Sequence, residues 1–369
     1  MGLLPFYFPR MDNDTRDFLY DLLNTPSPTG FEAPGQRKWA TYVRQYADSV
    51  ESDAYGNAWG TVKGSADSPS IMIEAHADEI GYMVKHITKE GYLQVDRIGG
   101  TDWATARGRK LIILGDEGNV TGLIGNTAIH LRKRTLGSEK TPEMHELFVD
   151  VGASNPEEVT ELGIRVGHPA VYADDAEPLG KNRIVGRALD NRIGGFIISQ
   201  VLKQLSELAD KIPATLIAAN CVQEEIGGHG AKMITHRLRP DICIVLDVTH
   251  ATDTPGIEKA EHGDVELGGG PSLTHGSANH PELVKRIIEV AKKSDIPIQH
   301  EASSRATGTD ADQIFHQVGG VPTALISLPL RYMHSVIEVA HFDDVEKTIR
   351  LFVDVIRSIQ KDEQFAVEI

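Results

Sequence analysis

The sequence predicts a mixed α/β fold: a largely parallel sheet sandwiched by helices, with a small β-barrel domain inserted into it. Three observations carry this expectation. After Lys181, apolar strand-like runs alternate with helix-like segments, the pattern of a sheet covered on both faces. From Gly81 to about Val171 the texture changes to short β-rich runs separated by Gly or Asp turns, as in a small barrel or sandwich. A chain of 369 residues also exceeds one small core and suits a large domain carrying a smaller one.

The elements follow in chain order. DTRDFLYDLLN reads as a first helix capped by Asp14 or Thr15, and a second helix spans Phe31 to Tyr46. SVESDAYGNAWGTVKG is a hairpin, and SIMIEAH a buried strand rich in Ile and Met. Within the insert GYMVKHI, GYLQVDRI, RKLIILG, NVTGLIG and LFVDVG are strands, and EEVTELG alone reads as helical. Then come the strand RIVGRAL, a helix from Asn191 to about Leu208, the strand ATLIAANCV, the helix GHGAKMITHRL and the strand DICIVLDV. HPELVKRIIEVAKKS and DADQIFHQV read as helices, VPTALISLPL as a strand, and DDVEKTIRLFVDVIRSI as the closing helix. The domain division is therefore 1–80 with 178–369 for the large domain and 81–177 for the insert. The glycine-ended loop from Thr252 to Gly270 is a candidate rim or lid.

Composition excludes several function classes. The net charge of −16 leaves no basic patch to neutralise phosphates, so no nucleic-acid partner is expected. No run reaches the ~18 apolar residues of a membrane span, and the start MGLLPFYFPRMDNDTRD lacks a signal-peptide pattern, so the expectation is a cytoplasmic protein with no membrane partner. Gly2 resembles a myristoylation site, but Phe6 stands where Ser or Thr is wanted. The two cysteines, Cys221 and Cys243, fall in core-strand runs and read as buried thiols, which fits a reducing compartment. The chain has no G-x-S-x-G elbow, Walker A loop, H-E-x-x-H, dinucleotide fingerprint or C-x-x-C.

Chemistry-bearing residues recur at strand ends. IMIEAHAD puts His76 and Asp78 there, RIVGRALDN puts Asp190, LIAANCVQEE puts Glu224 and Glu225, and ICIVLDV puts Asp247; His334 follows VPTALISLPL. In open α/β sheets ligands gather beyond the carboxyl ends of the strands. Each side chain alone has an ordinary explanation: Asp190 as a helix cap, Glu224–Glu225 as a solvated loop, His334 as a structural histidine like His229, His250 and His316. Together they point to a metal, because unpaired buried carboxylates are costly. Imidazole and carboxylate donors without thiol suit Zn²⁺, Co²⁺ or Mn²⁺.

The strings AHADEIGYMV, GRALDNRIGG, QEEIGGHGA, VLDVTHATDTPG, TGTDAD and RYMHSVIEVAHFDDV resemble, in order and over nearly the whole chain, the motifs of the tetrahedral (TET) and glutamyl aminopeptidases. That family of di-metal exopeptidases often carries the labels endoglucanase M or deblocking aminopeptidase. The resemblance implies a zinc-exopeptidase-like fold and two divalent ions per subunit, Zn first with Co or Mn as alternatives. His76 and Asp247 would bind one ion, Glu225 and His334 the other, and Asp190 both. Glu224 would be general base for an attacking water held between the ions, and Asp78 would orient His76. The resemblance also implies a cis bond after Asp190. Short peptides would be the substrates, cleaved at their N-termini. The insert would mediate self-association, as a dimer or a tetrahedral dodecamer. Gly308, Thr309 and Asp310, with the Thr252–Gly270 loop, would line the substrate pocket. Val336 stands where the family leads one to expect Pro beside His334, a difference that bears on loop geometry, not on ligation. A deacylase or carboxypeptidase using the same ligands is the alternative, and a non-catalytic shell protein a more distant one. A cellulase is disfavoured, since glycosidases work with a carboxylate pair without metals.

Overall fold

The computed structural model describes residues 11–65, 68–131, 141–208, 212–361 and 363–369; the Gly2–Phe6 reading lies outside them. An eight-stranded sheet forms the frame, in the order Ser49–Ser52, Ala58–Val62, Thr215–Cys221, Ser70–His76, Ile242–His250, Thr323–Leu330, Ser272–His275, Gln299–Ala302. Its four central strands, Thr215–Cys221 through Thr323–Leu330, are mutually parallel. Near-continuous apolar sequence in these strands, such as SIMIEAH and TALISLPL, reflects burial from both sides. On one face lie the helices Asn13–Asn24, Ala33–Val43, Leu189–Ser206, Pro281–Lys293 and Phe342–Ser358, which share the main core with Ile71, Ile73, Leu216, Ile244 and Ile326. On the other, His229–Leu238 and Ala311–Ile314 cover Met72, Cys221, Cys243, Val245 and Leu325. Both cysteines are buried and free.

A closed six-stranded antiparallel barrel takes up Gly81–Ile87, Leu93–Ile98, Phe148–Asp150, Gly118–Ile124, Lys110–Gly115 and Pro169–Tyr172 in that order round the wall. Tyr82 and Tyr172 meet inside it through their hydroxyls at 2.6 Å. Val336 also belongs to the barrel's buried cluster, although it comes from the loop after Thr323–Leu330. It is 2% exposed, so about 1.5–3 kcal/mol of side-chain burial ties that loop to the barrel. The unusual residue beside His334 therefore has a packing reason.

Several elements differ from expectation. The first helix is capped by Asp12, whose carboxylate accepts from the Thr15 N–H at 2.7 Å, rather than by the expected Asp14 or Thr15. The helix expected over DADQIFHQV stops at Ile314 and is followed only by a 3₁₀ turn over Gln317–Gly319, where Val318, Gly319 and Gly320 take positive φ and bar any return to a helix. The edge strands Ser272–His275 and Gln299–Ala302 are too short and polar to announce themselves, as is Glu338–His341 in a separate three-stranded sheet with Glu177–Leu179 and Arg183–Gly186. The helix pattern EEVTELG is borne out as Pro156–Glu161.

Candidate metal centre

Parallel register brings the strand ends together. Cys221 lies opposite His76, and Val245 opposite Glu74, so Asp247 comes level with His76. Side chains two apart share a face, and Met72, Glu74 and His76 therefore run up one side, as do Cys243, Val245 and Asp247. The turn after Thr215–Cys221 carries Glu224 and Glu225, with Gln223 at φ 62°. Asp190 precedes the long helix: it and Asn191 have non-helical torsions, and the bond between them is cis. His334 also has positive φ, 61°. Non-glycine residues at positive φ, such as Gln223 and His334, persist only where the surroundings over-determine them.

Asp190 occupies the middle. Its Oδ1 lies 3.2 Å from His76 Nε2 and its Oδ2 3.2 Å from His334 Nε2. Asp247 Oδ1 is 3.7 Å from His76 Nε2, and Glu225 Oε2 is 3.6 Å from His334 Nε2. Two three-donor groups result, His76–Asp190–Asp247 and Asp190–Glu225–His334, each with ligand atoms within 4.8 Å of one another. Glu224 Oε2 stands 3.8 Å from His76 Nε2. Asp78 lies behind, its Oδ1 3.3 Å from His76 Nδ1. Its carboxylate also accepts from the Thr29 hydroxyl at 2.8 Å and from the Glu224 and Glu225 N–H groups at 3.0 and 3.2 Å. One buried carboxylate thus orients both an imidazole and the Glu224–Glu225 turn.

The electrostatics are those of a cation site. Burial, reinforced by Asp190, raises Glu225, and burial with Asp247 against the opposing His76 pushes Glu224 up to about 10. Burial moves Asp247 up to about 7. Burial opposes charge on His334, but its hydrogen bond to Asp190 prevails and carries it up to about 9. Asp190 resists its own burial through hydrogen bonds to His334 and His76 and stays below the usual carboxylate range. Crowded carboxylates retain protons where no cation balances them, and divalent ions displace such protons. Glu225 Oε1 is buried without a hydrogen-bond partner. Two imidazoles and three carboxylates without thiol match Zn²⁺, Co²⁺ or Mn²⁺, so the residues fit the ions.

Sequence reasoning missed a supporting group. Glu338, 1% exposed, accepts from the His334 N–H at 2.8 Å and the Asp190 N–H at 3.1 Å. A carboxylate inside the apolar string VIEVA was the available signal. Gly100 of the insert also reaches the centre, its carbonyl 3.1 Å from His334 Nδ1. Beneath His76, Glu74 and Asp310 form a fully buried carboxyl pair, both raised by burial, Glu74 to about 8.

A cavity of about 780 Å³ opens over Asp190, Glu224, Glu225, Asp247 and His334. Gly308, Thr309 and also His250 line it, whereas Asp310 sits behind the wall. The Thr252–Gly270 loop is absent from the described lining; its end is pinned to the closing helix, where Asp344 accepts from the Gly268 and Gly270 N–H groups.

Fold and site together define a hydrolase that acts on peptides. The chain belongs to the M42 glutamyl aminopeptidase family, whose model matches residues 56–351. It is 36% identical to a lysyl aminopeptidase of Pyrococcus furiosus over 338 residues, 91% of this chain and 94% of the relative. Among solved structures it superposes with TM-score 0.88 on aminopeptidase APDkam598 from Desulfurococcus kamchatkensis, at 34% identity over 95% of this chain and 96% of that one. With the Pyrococcus horikoshii TET1 peptidase, which assembles into a tetrahedron or a large octahedral shell, the TM-score is 0.82 at 27% identity, over 94% and 100% of the two chains.

Proposed function

We propose that the chain is a co-catalytic di-metal aminopeptidase that removes N-terminal residues from short peptides. The observation that carries this is Asp190, which turns one oxygen to each of two three-donor groups, with Glu224 beside them at the cavity floor. His76 and Asp247 would hold one ion, Glu225 and His334 the other, and Asp190 both, with Zn²⁺ as the first choice and Co²⁺ or Mn²⁺ as alternatives. Bound ions would supply Lewis acidity toward the scissile carbonyl and lower the pKa of the attacking water. The protein's own chemistry is proton transfer: Glu224 takes the water proton and returns it to the leaving amine, an effect worth roughly 10²–10⁴-fold. Asp78 positions both His76 and the Glu224 backbone. Aminopeptidase names among the relatives support the N-terminal specificity, and Gly308 and Thr309 would line the substrate subsite.

The unit 81–177 would mediate self-association as a dimer or a tetrahedral dodecamer, and the relative that assembles into a tetrahedron or an octahedral shell supports self-association. No helix among the described residues is long and apolar enough to cross a membrane; we place the enzyme in the cytoplasm, in keeping with two unpaired buried thiols.

Glu224→Gln tests the base assignment. The variant is expected to bind the same number of metal ions, by elemental analysis, while kcat on Leu-, Lys- and Glu-p-nitroanilides falls at least about 10²-fold. Activity within tenfold of the parent would show that Glu224 is not the base. Cleavage of N-acetyl amino acids alone, by the parent, would favour a deacylase.

A further inference from the structure

A second cavity, about 380 Å³, adjoins the metal-centre cavity and shares Val248, Thr249, His250, Thr307 and Thr309 with it. Its floor is the same sheet face that bears the metal ligands. Thr249 lies two positions beyond Asp247 on the strand Ile242–His250, so both side chains leave that face, with Cα atoms about 7 Å apart. Ser327 lies opposite Asp247 on the next strand, and Leu325 two positions before it. The floor ends at the edge strand, where Glu301 pairs in register with Thr274.

Glu301 is the acid of this cavity. Its Oε1 accepts from the Thr249 hydroxyl at 2.6 Å, which aims the carboxylate inward next to the centre. No Lys, Arg or His among the described residues lies within ion-pair distance of it. Arg305, a cation of the same lining, is exposed and forms no ion pair among the described residues, so it does not neutralise Glu301. Leu325 is buried and gives apolar surface, while Thr274 and Ser327 add hydroxyls; the Val248 side chain packs into the core on the opposite face of the sheet. A hydroxyl-lined passage from the reacting centre that closes on an oriented carboxylate with no cation beside it matches a long side chain ending in a cation.

The geometry points to Glu301, held by Thr249, as the residue that selects a lysyl or arginyl side chain at the peptide N-terminus. This rests on the aminopeptidase reading above. The four-carbon stem of lysine spans the interval between Asp247 and the Thr249–Glu301 pair, and the carboxylate completes a charge-assisted hydrogen bond there. An acidic side chain would meet Glu301 as a like charge, and a leucyl side chain would leave the carboxylate unpaired.

The test is kcat/KM for Lys-, Arg-, Leu- and Glu-p-nitroanilides on the full-length, metal-loaded protein, its Glu301→Gln variant and its Arg305→Gln variant. The parent is expected to favour Lys over Leu by at least about tenfold, and Glu301→Gln to lower the Lys/Leu ratio by about 10- to 100-fold, the loss of one charge-assisted bond. Arg305→Gln should leave that ratio within about threefold. A parent preference for Glu that Arg305→Gln abolishes would overturn the assignment. So would a Glu301→Gln variant that slows Lys and Leu substrates alike, the mark of a structural role. Calorimetric binding of lysinamide and leucinamide to the same proteins gives a readout independent of turnover: an unchanged lysinamide Kd in Glu301→Gln overturns the proposal, and a selective weakening supports it. If no p-nitroanilide is cleaved the aminopeptidase reading falls, and the calorimetry alone decides the pocket.

Discussion

A single methyl group at Gly100 should cost the protein one of the two metal positions proposed above. A Cβ built there would lie 2.4 Å from His334 Nδ1 and 2.6 Å from His334 Cε1. Ordinary contacts between such atoms are about 3.5–4.0 Å, so the imidazole must retreat by about 1 Å. The retreat lengthens the 3.1 Å bond to the Gly100 carbonyl and draws Nε2 from its place 3.2 Å from Asp190 Oδ2. Loss of a partner that merely orients a ligand typically costs 10–100-fold in metal affinity. Moving the ligand itself should reach the upper end, about 10²-fold or roughly 2.7 kcal/mol. His76 and Asp247 are untouched, so one position serves as an internal control. Gly100 is exposed, and the fold should survive with its melting temperature within about 2 °C. Equilibrium dialysis against buffered Zn²⁺ with elemental analysis should show Gly100→Ala dropping from two ions to one at concentrations that saturate the parent, with kcat/KM down about 10²-fold. Two ions retained at parental affinity, with kcat/KM within threefold, would refute the idea that the insert's Gly100 sets the position of His334.

Two further outcomes follow from the same geometry. Glu338→Gln turns an N–H donor toward either the His334 or the Asp190 backbone N–H, both of which now donate to Glu338; about tenfold weaker metal binding and a loss of ~1–3 kcal/mol in denaturant unfolding are expected, and parental values in both would remove Glu338 from the support of the centre. Light scattering should give a mass near a dodecamer of the 40.3 kDa chain, or a dimer on the way to it, and a clean monomer would end the shell proposal.

Much of the centre was legible because parallel strands end together. His76, Glu224, Glu225 and Asp247 each follow an apolar run, and any parallel arrangement of those runs delivers them to one edge. The barrel was legible for a similar reason: short alternating runs with Gly and Asp turns between Gly81 and Tyr172 suit a small barrel or sandwich, and they close into a barrel of six strands. Local competition was not legible. Asp12 rather than Asp14 or Thr15 caps the first helix, and a helix the pattern would have carried to Val318 ends at Ile314.

The sequence by itself determined the fold class and which side chains could hold metal, since apolar periodicity and donor chemistry are local properties. The tertiary structure alone decided what those side chains face. Asp190 comes to stand between the two donor groups because it meets His76, 114 residues away, and His334 at once. Glu338 gains its two N–H donors, Val336 its place in the barrel core and Glu301 its hold on Thr249, 52 residues distant, only when the loops are docked. The orientation of a charged group depends on partners brought together by folding, and no local pattern encodes those meetings.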